Sequence, residues 1–241
     1  MAPTCHNKDG NAPAVDQIMP LKSNYAAVIF DLDGTLIDTE SLCNQTGVET
    51  CAALGLIVTL GFFETLAGIH DAERIRLLSD LTGVAIDPGQ FNALWDEKTY
   101  ARFADGIPLK PGVFDLLDQI RALSLPMAIA TSSRRLPAAT KIEVTGLRPY
   151  MTAVVSCDDI VQPKPAPDAY LHAAALLGVD PKTCLVFEDS EVGTRSAWDA
   201  GMTVVQVPDI HPASGTTAHF VAGSLLDGAK AAGLLSEPVT A

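Results

Sequence analysis

Positive charge is scarce in this chain. Its 241 residues carry 16 Lys and Arg against 29 Asp and Glu, a formal net charge of −13. Most of such a surface repels DNA, RNA and other polyanions. Lys and Arg are nowhere clustered with interleaved aromatics; Arg134-Arg135 comes nearest, and it is a pair rather than a patch. Nucleic acid is therefore not an expected partner. Long apolar runs are missing too. None reaches the ~18 residues that a membrane-spanning helix needs, so no membrane partner is expected. The chain begins without a basic segment followed by an apolar stretch, and a secretory signal is not expected. The five cysteines, Cys5, Cys43, Cys51, Cys157 and Cys184, are odd in number and form no CxxC. That pattern indicates neither a disulfide framework nor a zinc site. Reduced thiols in a cytoplasmic protein are the expectation.

Apolar residues are plentiful, at 48%, and a chain of this length buries a sizeable core as one large domain or two smaller ones. Five apolar runs read as buried strands: Ala26–Phe30, Met127–Ala130, Ala153–Ser156, Cys184–Phe187 and Thr203–Val207. Helical spacing separates the later ones, over Val113–Leu123, Tyr170–Leu177 and Val192–Ala200. Gly146, Gly178 and Gly201 follow helical patterns as terminating glycines do. Strands alternating with helices predict an α/β fold, a doubly wound parallel sheet with helices on both faces. Between the first two strands lies far more chain than one crossover needs. It shows helical patterns only, over Leu42–Leu54, Phe62–Leu66, Asp71–Leu81 and Gln90–Phe103, with Asp87-Pro88-Gly89 breaking the last two. The expected organisation is a flexible tail over residues 1–22, a core of residues 23–37 and 106–241, and an inserted all-helical unit over residues 38–105. Cys43 and Cys51, eight apart, are expected on one side of one helix.

The most informative segment is Phe30-Asp31-Leu32-Asp33-Gly34-Thr35-Leu36-Ile37-Asp38-Thr39-Glu40. An apolar strand ends in two aspartates one residue apart, which would share a face if the strand continued. Ligands of open parallel sheets bind beyond the carboxyl ends of the strands. Paired carboxylates there repel unless a cation or a shared proton compensates, and Mg²⁺ is the hard ion that prefers oxygen ligands. A lone pair so spaced also reads as a solvated strand end. Three further segments bear on that choice. Ile129-Ala130-Thr131-Ser132-Ser133 is a strand ending in hydroxyls. Pro163-Lys164-Pro165 presents a Lys between two prolines. Leu185-Val186-Phe187-Glu188-Asp189-Ser190 is a second apolar strand ending in carboxylates, followed by Gly193.

In this order the four segments resemble the haloacid dehalogenase superfamily, from about Tyr25 to about Asp209. The resemblance is nearest to the phosphatase and phosphomutase branch, with beta-phosphoglucomutase-like and pseudouridine-phosphatase-like members. It implies a helical cap inserted after the first strand and closing over the site on hinges near Ile37–Thr39 and Gly106–Gly112. It implies Asp31 as nucleophile, forming an aspartyl-phosphate, and Asp33 as general acid and then base. The Mg²⁺ site it implies is built from Asp31, the Asp33 main-chain carbonyl and Asp189, with Glu188 binding directly or through water. Thr131 and Ser132 would hold phosphoryl oxygens, and Lys164 would neutralise their charge and orient Asp31. Substrate contacts are expected from Glu40 at the start of the cap, from Arg134, and from His70 in the loop Leu66-Ala67-Gly68-Ile69-His70.

The resemblance thus implies a Mg²⁺-dependent phosphatase of a small phosphorylated metabolite, acting as a monomer or weak homodimer. A phosphosugar mutase is the alternative. Mutase-like relatives carry a His and a basic residue where this chain has Cys43 and Asp71. Dehalogenases normally lack a carboxylate at the Asp33 position. A non-catalytic binding protein would carry a broken motif, such as Asn at Asp31 or Asp189, and none is broken.

Overall fold

The computed structural model describes residues 25–66, 69, 71–209 and 212–236. The expected tail and His70 lie outside them. Six strands, β1 (Ala27–Phe30), β2 (Met127–Ala130), β3 (Ala153–Val155), β4 (Cys184–Glu188), β5 (Thr203–Gln206) and β6 (Phe220–Val221), form one sheet in the order β3-β2-β1-β4-β5-β6. All pairings are parallel. The five expected strands are present, each shifted at an end by no more than a residue. The sixth was not expected, because a two-residue strand has no periodicity to read.

Strand side chains alternate between two packed layers. Val28, Phe30, Ile129, Leu185 and Phe187 join one core with α5 (Val113–Ala122), α6 (Arg135–Val144) and α9 (Leu225–Ala231). Ala27, Ile29, Ala130 and Val186 join the other with α7 (Asp168–Leu177) and α8 (Glu191–Asp199). Phe30 and Phe187 stack across neighbouring strands, with centroids 5.3 Å apart. Both faces are therefore covered, which is why the central strands read as unbroken apolar runs.

Between β1 and β2 stand α1 (Thr39–Ala53), α2 (Leu60–Glu64), α3 (Asp71–Thr82) and α4 (Pro88–Asp105), an all-helical cap. It has its own core of Cys51, Phe63, Leu78 and Phe91, with Trp95 edge-on to Phe63 at 5.4 Å. Asp38 accepts from Ser41 N and starts α1. Asp87 accepts from Gln90 N, and Pro88 opens α4. Asp87-Pro88-Gly89 thus begins a helix rather than only breaking one, since proline is pre-organised for a first turn. Cys43 and Cys51 share α1 but not a core: Cys43 packs against the sheet layer and Cys51 against the cap cluster. The two strands of chain joining cap and core pair with each other. Asp38 N donates to Pro108 O at 2.8 Å and Lys110 N to Leu36 O at 2.9 Å.

Candidate active site

The switch in strand order falls at β1, between β2 and β4, where open α/β sheets bind their ligands. Asp31 N still donates to Phe187 O at 3.0 Å, and Thr131 N to Val155 O at 2.9 Å. The ladder thus fixes the first residue beyond β1 and beyond β2, while Glu188 closes β4. Asp31, Asp33, Thr131, Ser132, Lys164, Glu188 and Asp189 line one cavity of about 200 Å³.

The two aspartates of the first motif belong to different networks. In the first, Lys164 Nζ donates to Asp31 Oδ1 at 2.7 Å, to Glu188 Oε1 at 2.6 Å and to the Tyr170 hydroxyl at 3.1 Å. Those three bonds use all three protons of an ammonium. Tyr170, fully buried on α7, donates in turn to Glu188 Oε1 at 2.7 Å. Glu188 Oε2 accepts from Asp189 N at 3.1 Å and from Ser190 N and Oγ at 3.3 and 3.1 Å. Glu188 therefore spends its lone pairs on the protein. Asp31 Oδ2 accepts no hydrogen bond among the described residues, and Asp189 Oδ1 accepts only a long one, 3.4 Å from Thr35 Oγ1. Two glycines leave room for this packing. A Cβ on Gly193 would lie 1.8 Å from Glu188 Oε1, and one on Gly34, itself at φ +86°, would lie 2.6 Å from Asp189 Oδ2.

Oxygen atoms of Asp31, Glu188 and Asp189 come within 4.8 Å of one another. Burial, with Glu188 and Asp189 adding repulsion, holds the Asp31 carboxyl well above the usual range despite Lys164. Burial and then Glu188 push Asp189 up to about 7. Burial alone would lower the Lys164 ammonium, but Asp31 and Glu188 outweigh it and raise it. One ammonium among these carboxylates leaves anionic charge in excess when all are ionised. An all-oxygen set with that excess suits a hard divalent cation, and the open oxygens are those of Asp31 and Asp189.

In the second network Asp33 Oδ1 accepts from Thr39 Oγ1 at 2.8 Å and from Lys141 Nζ at 2.6 Å. Asp33 Oδ2 accepts from Ser133 Oγ at 2.8 Å. Asp31 and Asp33 share no hydrogen-bonding partner although both line the same cavity, and the strand that would have set them on one face does not continue. The strand stops at Phe30, and Leu36 N and Ile37 N turn back onto Leu32 O. Lys141 was not foreseen from sequence. The available signal was a Lys on the buried face of α6 beside Ala138 and Ile142.

The remaining expected residues sit around this centre. Thr131 is buried, and its Oγ1 accepts from Ser133 N at 3.0 Å, which leaves its proton free to donate. Ser132 is exposed at the cavity mouth. Arg134 is exposed at the start of α6 and does not line the cavity. Glu40, in the first turn of α1, is raised by burial and then by the charges of Asp209 and Asp33. A larger cavity of about 440 Å³, beside edge strand β3, holds none of these residues. Its Arg135 is paired with Asp159 at 2.5 Å and its Arg148 bonds Met151 O, so neither charge is free to recruit a ligand.

A doubly wound α/β domain with an acid-rich strand-end site and a helical cap is an enzyme architecture of recognised type. The chain matches the family of haloacid dehalogenase-like hydrolases over residues 28–207, and it belongs to that family. It is 35% identical over 188 residues to fructose-1-phosphate phosphatase YqaB of Escherichia coli, covering 76% of this chain and 96% of that one. It is 32% identical over 182 residues to hexitol phosphatase A of the same organism, covering 74% and 81%. Among solved structures it superposes with a TM-score of 0.77 and 26% identity on a haloacid dehalogenase family hydrolase from Deinococcus radiodurans holding phosphate and sodium. That match covers 90% of this chain and 100% of the other.

Proposed function

We propose that the protein is a Mg²⁺-dependent phosphatase of a small phosphorylated metabolite, a sugar phosphate or close analogue, working through an aspartyl-phosphate on Asp31. One observation carries this reading. Asp31 has one oxygen held by Lys164 at 2.7 Å and the other unbonded among the described residues, at the mouth of the strand-end cavity. A carboxylate so held is aimed as a nucleophile. The fructose-1-phosphate and hexitol phosphatases among its relatives support the substrate class.

Asp31 attacks phosphorus while Thr131, Ser132 and Lys164 face the phosphoryl oxygens. Asp33 gives its proton to the leaving oxygen as the ester bond breaks, then takes one from the water that attacks the aspartyl-phosphate. Asp31, Asp189 and the Asp33 main-chain carbonyl would hold Mg²⁺, with Glu188 bracing them from behind. When bound, the ion neutralises phosphoryl and carboxylate charge. Helices α1 to α4 form a cap that moves on the sheet domain about the paired segments Ile37–Thr39 and Gly106–Gly112. Among the described residues, Glu40 in the first turn of α1 and Arg134 at the start of α6 are the proposed substrate contacts; the expectation for His70 falls outside them. Arg74, the cap cation nearest in sequence to Asp71, is occupied by Asp71 at 2.7 Å and by Ile69 O, which disfavours the holding of a second phosphate by a mutase. The thiols of Cys43, Cys51 and Cys184 are raised by burial to about 12, 11 and 11, as fits unreactive cysteines; a cytoplasmic monomer or weak homodimer completes the proposal.

The test is a screen of sugar phosphates, nucleotides and phosphorylated acids with Mg²⁺ and with EDTA, including beta-glucose 1-phosphate with a trace of bisphosphate. Stoichiometric phosphate with Mg²⁺, abolished by EDTA, is expected. Isomer accumulation without matching phosphate would assign a mutase instead.

A further inference from the structure

Lys141 is a buried ammonium that the mechanism above leaves unused. Its side chain is 10% exposed. It rises from the buried face of α6, which it shares with Ala138 and Ile142. A buried charge is costly unless it is paired and hydrogen-bonded, and Lys141 is both. Lys141 Nζ donates to Asp33 Oδ1 at 2.6 Å and to Ser133 Oγ at 3.0 Å, and Ser133 Oγ donates to Asp33 Oδ2 at 2.8 Å. The three side chains close a ring around one carboxylate.

Two features separate this lysine from a phosphate ligand. It does not line the cavity that holds Asp31, Thr131 and Lys164. It also sits at the seam with the cap: its ammonium lies 5.4 Å from the ring centroid of Phe103 on α4. Thr39, the first residue of α1, completes the shell of Asp33 from the cap side at 2.8 Å. Each aspartate of the first motif thus has a lysine of its own, Lys164 for Asp31 and Lys141 for Asp33.

We infer that Lys141, with Ser133, is the positioning residue of Asp33: it aims the carboxylate that serves the leaving-group oxygen and ties that aim to the seating of the cap. The inference rests on Asp33 being the general acid. A group carrying a proton in the transition state must be aimed closely, and a displacement of about 1 Å costs about 10²-fold. Substrates with poor leaving groups feel that loss, whereas a good leaving group departs without the proton.

The experiment compares Lys141→Met, Asp33→Asn and the double variant on a sugar phosphate and on 4-nitrophenyl phosphate, each variant checked for a cooperative melt. Lys141→Met should lower kcat on the sugar phosphate by about 10- to 100-fold with KM nearly unchanged, and on 4-nitrophenyl phosphate by less than about 3-fold. Added to Asp33→Asn it should cost nothing further, as expected for residues acting as one unit. Equal losses on both substrates, a further loss in the Asp33→Asn background, or a raised KM with unchanged kcat would overturn the assignment. If Lys141→Met does not fold, Ser133→Ala should show the same leaving-group bias in smaller degree, and no bias would overturn it equally. Full turnover of the sugar phosphate by Asp33→Asn would instead remove Asp33 from the acid role, and Lys141 with it.

Discussion

Lys164 holds Asp31 by a 2.7 Å charge-assisted hydrogen bond in which neither side chain is more than 9% exposed. The same ammonium reaches Glu188 at 2.6 Å, so one residue holds both the proposed nucleophile and the carboxylate behind it. Lys164→Met keeps the stem and removes the charge. Loss of one such donor lowers kcat by about 10²–10³-fold. Stranding two buried carboxylates costs about 3–5 kcal/mol of stability. Steady-state kinetics and thermal melts on one preparation check both outcomes.

Gly193 gives a second test that replaces no charged group. A Cβ there would lie 1.8 Å from Glu188 Oε1, inside any tolerable contact, so Glu188 must swing away. That movement breaks its bonds to Lys164 and Tyr170. Gly193→Ala should therefore lose turnover by at least about 10²-fold, as though Lys164 itself had been changed. Gly61, on α2 with nothing within 4 Å of an added Cβ, is the control. Gly61→Ala should keep full activity and a melting temperature no lower than the parent's.

Asp189 predicts how pH and metal act together. Its folded value of about 7 lies above the 3.8 of an ordinary aspartate, so below about pH 7 the folded metal-free protein prefers its protonated form. That preference stabilises the fold fully below the unfolded value near 4, and the stabilisation is lost as pH rises through about 7. Metal-free protein should accordingly melt at a lower temperature at pH 8 than at pH 6. A bound cation favours the ionised carboxylate, so the rise in melting temperature on adding Mg²⁺ should be larger at pH 8 than at pH 6. Melting curves with and without Mg²⁺ at the two pH values measure this. A Mg²⁺ effect independent of pH would exclude Asp189 as the titrating ligand.

What was legible in the sequence is what local chemistry can announce. The central strands are buried on both faces and so read as apolar runs. Asp31, Thr131 and Asp189 sit where those runs stop, and Lys164 stands between prolines. Tyr170 reads only as one more apolar-face residue of α7, because its hydroxyl finds Glu188 18 residues away. Lys141 was missed for the same reason on a larger scale: its partner Asp33 is 108 residues distant, and only the fold brings them together. That Asp31 and Asp33 join different networks was not legible, because strand alternation applies only while the strand lasts, and β1 ends at Phe30.

Replacing the proposed nucleophile tests the account most directly. Asp31→Asn keeps the shape of the side chain and removes the charge proposed to attack phosphorus. With a sugar phosphate identified by the screen, saturating Mg²⁺ and the parent protein alongside, phosphate release should fall by at least about 10³-fold, while the melt stays cooperative. Phosphate release near the parent rate from a folded, sequence-verified Asp31→Asn protein would contradict it.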